Sequence, residues 1–201
     1  MPSNTEIANL AISHLGVAKD IGNLDTENSN EARACRRFYE LALECVLRDY
    51  PWSFASKYAA LALIEEDPNS EWAYSYQLPS DCLFFVRILS GVVPENQDSR
   101  VPYKIGQSDS GPIIFTNQEN AECEFTVMVD DASQYPPDFT EALSLRLAAY
   151  IAPRLTAGDP FKLGDRAMAL YRSQIAKAQS KSANEEQPDK NPDSEFVRAR
   201  E

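Results

Sequence analysis

Two stretches in the first quarter of the chain place apolar residues at helical spacing. The shorter follows the cap residues 4–6 and ends at Gly16, a residue type that commonly comes directly after the last turn of a helix. The longer runs from Ser29 to about Asp49, with charged residues on the faces away from one apolar stripe. That stripe consists of Ala32, Cys35, Phe38, Tyr39, Ala42, Cys45 and Val46. The pattern predicts two helices joined by a polar loop.

The middle of the chain changes to a period of two residues. Residues 71–78 alternate between large apolar and small or polar side chains, which is typical of a strand. Residues 56–63 are expected to be extended or briefly helical. Further strand candidates lie at 82–89, 101–105, 113–116 and 122–129, separated by connections rich in Gly, Asn, Asp, Ser and Pro. The pattern predicts a small antiparallel β unit of about four to six strands.

Helical spacing returns after Tyr135. The segment 139–152 is apolar on nearly every side, which predicts a helix in the middle of a bundle, and Pro153 is expected to end or kink it. A last helix is predicted at about 159–180. The composition beyond it is polar and charged, so we expect residues 182–201 to stay unstructured or to become ordered on a partner.

A corner separates the second predicted helix from the β segment. Proline cannot supply a helical N–H and disfavours helical geometry in the residue before it, so the helix must end before Pro51. Trp52 and Phe54 are then expected on one side of an extended chain. Because buried aromatic side chains contribute mainly through area and edge contacts, we interpret Pro51, Trp52 and Phe54 as a structural corner.

Together these patterns predict an α+β fold: mainly a helical bundle, with an inserted small antiparallel β domain and an extended C-terminal tail. Residues 1–50 and 137–181 would form the bundle, residues 51–136 the β-rich insertion, and residues 182–201 the flexible tail. A chain of 201 residues is long enough for one good core and a smaller subdomain.

The charge of the chain limits its partners. The formal net charge is −12 at pH 7, which argues against a protein that grips nucleic acid by its phosphates. No run approaches the ~18 apolar residues of a membrane span. Residues 1–6 lack the basic region that begins a signal peptide. We therefore expect no membrane association and a chain that stays in the cytoplasm where it is made.

Few residues suggest catalysis or metal binding. The only histidine, His14, lies on or beside an apolar stripe and has no serine, cysteine or carboxylate at a readable spacing, so we interpret it as a packing or surface residue. No C-x-x-C spacing or histidine cluster is present, which argues against a zinc site. We expect no catalytic set, no metal and no cofactor. The cysteines are interpreted as small half-buried thiols at Cys35, Cys45, Cys82 and Cys123.

Arg33, Arg36 and Arg37 form a small basic cluster on this acidic chain. Glu40 lies four residues after Arg36, and Glu44 four residues after Glu40, so local ion pairing would account for the cluster. The alternative is a contact to an acidic neighbouring subunit, which makes the three arginines candidate subunit-interface residues.

Four segments occur in an order that carries a family resemblance, which spans roughly residues 5–180. They are Ala8-Asn9-Leu10-Ala11 through His14-Leu15-Gly16-Val17, Asp49-Tyr50-Pro51-Trp52-Ser53-Phe54-Ala55, Tyr76-Gln77-Leu78-Pro79-Ser80-Asp81-Cys82 and Tyr135-Pro136-Pro137-Asp138-Phe139-Thr140-Glu141-Ala142-Leu143. In this order they resemble the head-to-tail adaptor proteins of short-tailed bacteriophages, the tail tubular protein A group.

The resemblance implies a structural virion protein at the head–tail junction, synthesised in the host bacterial cytoplasm. Its subunits would form a ring, a dodecamer in the virion and a possible monomer when isolated, between the portal protein and the tail nozzle protein. DNA would pass through the channel without specific binding. In such adaptors a C-terminal arm reaches onto the portal. Here that role would fall to the tail, with candidate docking residues Pro188, Phe196, Val197, Arg198 and Arg200.

Other functions remain open at this point. A soluble acidic binding or regulatory module would fit the charge but would leave the apolar helix at 143–151 unexplained. Another head-completion protein, such as a stopper, would share the fold, because function in such proteins lies in the interfaces. A small acidic hydrolase would need a nucleophile with a base or two carboxylates in a cleft, and the chain shows no Gly-x-Ser-x-Gly motif.

Overall fold

The computed structural model describes residues 2–92, 99–109, 111–156 and 160–185. Within them lie four α-helices and two antiparallel sheets, which confirms the predicted α+β class. The helices are α1 (Asn4–His14), α2 (Asn30–Asp49), α3 (Pro137–Leu155) and α4 (Pro160–Glu185). The strands are β1 (Ser56–Ala60), β2 (Ala62–Glu66), β3 (Tyr74–Gln77), β4 (Cys82–Ile88), β5 (Tyr103–Ser108), β6 (Gly111–Thr116) and β7 (Glu122–Val127).

Local hydrogen bonds fix the ends of the first two helices. The Ser3 hydroxyl accepts from the Glu6 backbone N–H at 3.2 Å, and the Glu6 carboxylate accepts from the Ser3 N–H at 2.8 Å, so a capping box begins α1. Gly16 follows the helix with a φ of +73°, which confirms the predicted end. The Ser29 hydroxyl caps α2. That helix ends at Asp49, before the extended Tyr50 and Pro51, as predicted.

The later helices extend beyond their predicted segments, and of the two expectations for Pro153, an end or a kink, the helix end is wrong. Pro153 lies inside α3, which continues to Leu155. α4 runs through Glu185, so residues 182–185 of the predicted tail are helical. Ala183 and Glu185 favour helix, and no proline intervenes before Pro188, so the sequence allows the extension. The rest of the predicted tail, including its candidate docking residues, lies outside the described residues.

The corner after α2 was predicted as an extended chain, and this prediction was wrong in part. Trp52 is extended, but residues 53–55 form a short 3-10 helix. The turn forms because the Ala55 N–H donates to the Trp52 carbonyl at 2.9 Å. The Trp52 indole N–H donates to the Val46 carbonyl at 2.9 Å, so the aromatic ring folds back on the end of α2.

The strands form two sheets. One has the order β1-β7-β4, and the other has the order β2-β3-β6-β5, with every neighbouring pair in the second sheet antiparallel. A single residue, Leu61, separates β1 from β2. Its backbone N–H donates to the Ala121 carbonyl at 2.8 Å.

Residue contacts divide the chain into two compact units. Of the described residues, one unit contains those within 2–58, 79–86 and 124–180, and the other contains those within 59–78, 87–123 and 181–185. In the first unit α1, α2 and α3 pack on one another around one buried apolar cluster. This unit includes segments 51–58, 79–86 and 124–136, which the sequence pattern assigned to the inserted β domain. The second unit holds the whole four-stranded sheet.

Candidate interaction surface

A cleft of about 740 Å³ lies where α2 begins and α3 ends. Helices α2 and α3 pack together, and this packing brings Arg154 to the arginine cluster that the sequence singled out. The cleft is lined by Asn30, Arg33, Arg36, Arg37, Arg154 and Leu155. We call this surface the arginine cleft.

The guanidinium groups are held by neutral partners or face solvent. Arg33 donates to the Asn30 side-chain oxygen at 2.6 Å, and Arg36 donates to the Leu24 carbonyl at 2.9 Å and to the Asp25 carbonyl. Arg37 and Arg154 are exposed. Among the described residues, no ion pair within 4 Å includes an arginine of the cleft. Ion pairs among the described residues include Lys19–Glu31, Arg48–Glu44, Lys57–Asp81 and Arg146–Asp49.

Local ion pairing therefore does not account for the cluster. The expected pair between Arg36 and Glu40 does not form, because Arg36 turns instead to the backbone carbonyls of the loop before α2. Glu31, the acidic residue in the first turn of α2, pairs with Lys19 at 3.0 Å. A hydrogen bond from its own backbone N–H and the contact with Lys19 lower the pKa of Glu31, so it stays charged and paired.

The arginine cleft has the chemistry of an anion-binding surface. Guanidinium groups are planar, remain charged and present paired donors that match carboxylate and phosphate groups. The amino end of α2 adds the partial positive charge of its backbone N–H groups. These four arginines form a local cationic surface on a chain with a net charge of −12.

A smaller cleft of about 320 Å³ is also lined by Arg36, but it carries acidic groups as well. Asp25, Glu40 and Asp130 contribute carboxylates there, and Tyr39 donates to the Asn4 side-chain oxygen at 2.9 Å. Its mixed charge makes it less selective for anions than the arginine cleft.

The corner residues lie in an aromatic cluster inside the first unit. The Trp52 and Phe139 rings meet edge to face at a centroid distance of 5.1 Å, and Phe54 meets Phe139 at 4.9 Å. Tyr135 contacts both Phe54 and Phe139, at 5.7 and 4.7 Å. Such pairs stabilise a core by their geometry as well as by their buried area. Pro51 is exposed and adjoins this cluster in sequence.

His14 has a partner that sequence spacing could not reveal. Its Nε2 lies 3.2 Å from the Ser144 hydroxyl, and that hydroxyl donates to the Glu141 carbonyl at 2.8 Å. Ser144 is fully buried, so its oxygen is closed to a substrate. The geometry is that of a packing contact between α1 and α3.

The four thiols differ in burial but not in state. All four cysteines are free, with Cys35 and Cys123 buried and Cys45 and Cys82 half-buried. Burial raises the pKa of the Cys35 thiol to about 12, which keeps it protonated at neutral pH. Within residues 2–92, 99–109, 111–156 and 160–185, no three His, Cys, Asp or Glu side chains are grouped to hold a metal ion.

Comparison with known proteins adds no family. No protein-family model matches the chain, and the search of curated proteins found no match. Among the described helices, none combines the length and apolar character needed to cross a membrane.

Proposed function

We propose that this chain is a structural subunit of the head-to-tail connector of a short-tailed bacteriophage. Its subunits would be helical bundles with a β insertion, assembled into a ring between the portal and the tail nozzle. The arginine cleft is the observation that carries the proposal. A protein that works by assembly needs complementary surfaces, and this cleft offers a cationic one on an acidic chain.

A cyclic ring uses heterologous contacts, in which each subunit presents two different surfaces to its neighbours. The arginine cleft supplies one of these surfaces. The chain has 31 acidic against 19 basic residues, so carboxylates for the opposite surface are plentiful. The exposed Arg33, Arg37 and Arg154 can turn towards such carboxylates without first breaking an ion pair.

The segments that resemble the adaptor family support the same proposal. Two of them, residues 49–55 and 135–143, supply the Trp52, Phe54, Tyr135 and Phe139 rings of the aromatic cluster in the first unit, and Tyr50 adds a fifth ring against Trp52 at 5.0 Å. A third, residues 8–17, contains the end of α1 and its closing Gly16. The resemblance therefore involves residues that build the core, which is the part of a subunit that a shared fold would preserve.

The tail and the charge have roles in the proposed assembly. Residues 186–201 would dock on the portal, with Phe196 and Val197 as the apolar contact between charged neighbours. Twelve copies at −12 each carry a charge of −144. Acidic channel walls repel phosphates, so DNA would slide through without sticking.

The proposal is tested by mixing the protein with a purified portal ring and viewing the product by negative-stain microscopy. A second sample uses a chain truncated after Glu185, which keeps α4 whole. We expect an added ring with the full chain and none with the truncated one. Thermal unfolding of the truncated chain is the control for an intact fold.

The other outcomes are equally informative. An added ring with both forms would support the connector function and reject the docking role of the tail. Failure of both forms to bind would overturn the proposal and favour a soluble acidic binding module.

A further inference from the structure

The two edge strands of the four-stranded sheet fit each other. The sheet has the order β2-β3-β6-β5, so β2 and β5 are its edges. Because each neighbouring pair is antiparallel and the number of strands is even, the two edges run in opposite directions. A copy placed beside the sheet, β5 against β2, would continue the antiparallel order without interruption.

An apolar row crosses the sheet and ends exposed at both edges. Leu63 pairs with Tyr76, Tyr76 with Ile114, and Ile114 with Ile105. The central members are buried, with Tyr76 2% and Ile114 0% exposed, while Leu63 is 49% and Ile105 is 48% exposed. The two central side chains of the row are therefore buried, and the two side chains at its ends are partly exposed to solvent.

The next row across the sheet carries opposite charges at its two ends. Glu65 pairs with Ser75, Ser75 with Phe115, and Phe115 with Lys104. Neighbouring strands lie about 4.8 Å apart, so Glu65 and Lys104 of one chain are separated by roughly 14 Å and cannot pair with each other.

We infer that β5 of one copy pairs antiparallel with β2 of the next copy, which places Lys104 opposite Glu65 and Ile105 opposite Leu63. The inference rests on the proposed ring, because the partner is a second copy of this chain. Both rows match in a single register. A register shift in β2 between Leu63 and Glu65 places these two residues opposite the consecutive residues Tyr76 and Ser75 of β3. The same shift would place them opposite the consecutive residues Ile105 and Lys104 of β5 in the next copy.

The charges make this pairing selective. An open strand edge can accept many extended peptides, and proteins limit this with charged residues and bulges on the edge. Glu65 and Glu66 sit on β2 beside such an irregularity, so an uncharged or acidic strand would leave them unpaired. β5, with Lys104 at the matching position, neutralises one of them.

Charge reversal tests the inference. Sedimentation velocity at an ionic strength of about 0.15 M, where repulsion between copies of charge −12 is partly screened, would follow self-association of the wild-type chain, Glu65→Lys, Lys104→Glu and the double variant. We expect each single variant to weaken self-association about tenfold, because like charges then face each other. The double variant should regain it, since the pair is restored between copies. An equimolar mixture of the two single variants should also associate.

Glu119→Lys is the matched control, because it reverses an exposed carboxylate outside the strands and should leave self-association unchanged. A wild-type chain that remains monomeric up to about 1 mM and also forms no ring when mixed with the portal would overturn the inference. A double variant that self-associates as weakly as the single variants would overturn it as well. If the chain bound unrelated β-strand peptides but not itself, the inference of a second copy as the partner would also be wrong.

The portal experiment separates this inference from the proposed function. Portal binding without charge compensation would leave the connector function standing and remove the sheet pairing. Charge compensation without portal binding would support the sheet pairing and contradict the connector function.

Discussion

At the scale of single residues, His14 shows how packing decides a role that spacing leaves open. The imidazole lies against the buried Ser144, whose hydroxyl donates to the Glu141 carbonyl one turn earlier in α3. Burial lowers the pKa of His14, Glu141 opposes this shift and Arg166 reinforces it. The folded state therefore favours the neutral ring.

This shift gives the stability a pH dependence. The unfolded chain binds a proton at His14 near the ordinary pKa of 6.5, and the folded chain binds it only at lower pH. As the pH falls through 6.5 the unfolded state takes up more protons, so the free energy of unfolding decreases. We expect a larger loss between about pH 7.5 and pH 5.5 for the wild type than for His14→Gln, measured by urea unfolding. Parallel curves for the two proteins would contradict this.

The local structural roles of single residues were mostly predictable from the sequence, whereas contacts between residues far apart in the chain were not. Gly16, Pro51 and the Ser29 cap act through local geometry, which sequence states directly. Arg154 was missed because it joins Arg37 only through the packing of α2 against α3. An arginine in the last turn of a mostly apolar helix was the available signal.

At the scale of elements, one arginine links three helices. Arg146 of α3 lies over the rings of Tyr150 and Tyr171, at 5.2 and 5.1 Å, and its Nε donates to the Tyr150 oxygen at 3.1 Å. Tyr171 of α4 donates to Asp49 at the end of α2 at 2.7 Å. Burial and the Asp49 charge raise the pKa of Tyr171, so its hydroxyl remains a donor.

We expect Arg146→Ala to lower the free energy of unfolding by about 2 to 3 kcal/mol, because two cation–aromatic contacts and a partly buried pair are lost. Arg48→Ala is the control. Its pair with Glu44 is exposed and long, at 3.8 Å, so its loss should cost only about 0.3 to 0.5 kcal/mol. Urea unfolding measures both variants, and equal losses would show that the network does not link the helices.

Periodicity located an element where a continuous segment of the chain forms a single helix or strand. The predicted strand at 71–78 shortens to β3 because the Asn69 side chain accepts from the Glu71 and Trp72 N–H groups and holds them in a turn. The change from one sheet to another at Leu61 could not be predicted, since a single residue carries no period.

At the scale of the whole molecule, charge is unevenly distributed. An acidic chain that concentrates four arginines in one cleft has both halves of an electrostatic contact on its own surface. Such contacts weaken when salt screens them.

We expect Arg154→Glu to reduce ring formation on the portal at least tenfold, because it places a like charge against an acidic neighbour. Arg172→Glu makes the same change of charge on an exposed face of α4, outside the cleft, and should leave ring formation unchanged. Titration of portal with each variant, followed by counting decorated particles, measures the effect. Equal losses in the two variants would assign the effect to net charge alone.

The two open edges of the four-stranded sheet also bear on how free subunits are stored. The inferred pairing of β5 with β2 sets no limit on the number of copies in a row, so the pairing that would close the proposed ring would also allow a filament to grow. Mutual repulsion between copies of charge −12 opposes such growth at low ionic strength. Concentrated salt removes this colloidal barrier, and we expect it to turn a stock of soluble subunits into fibres.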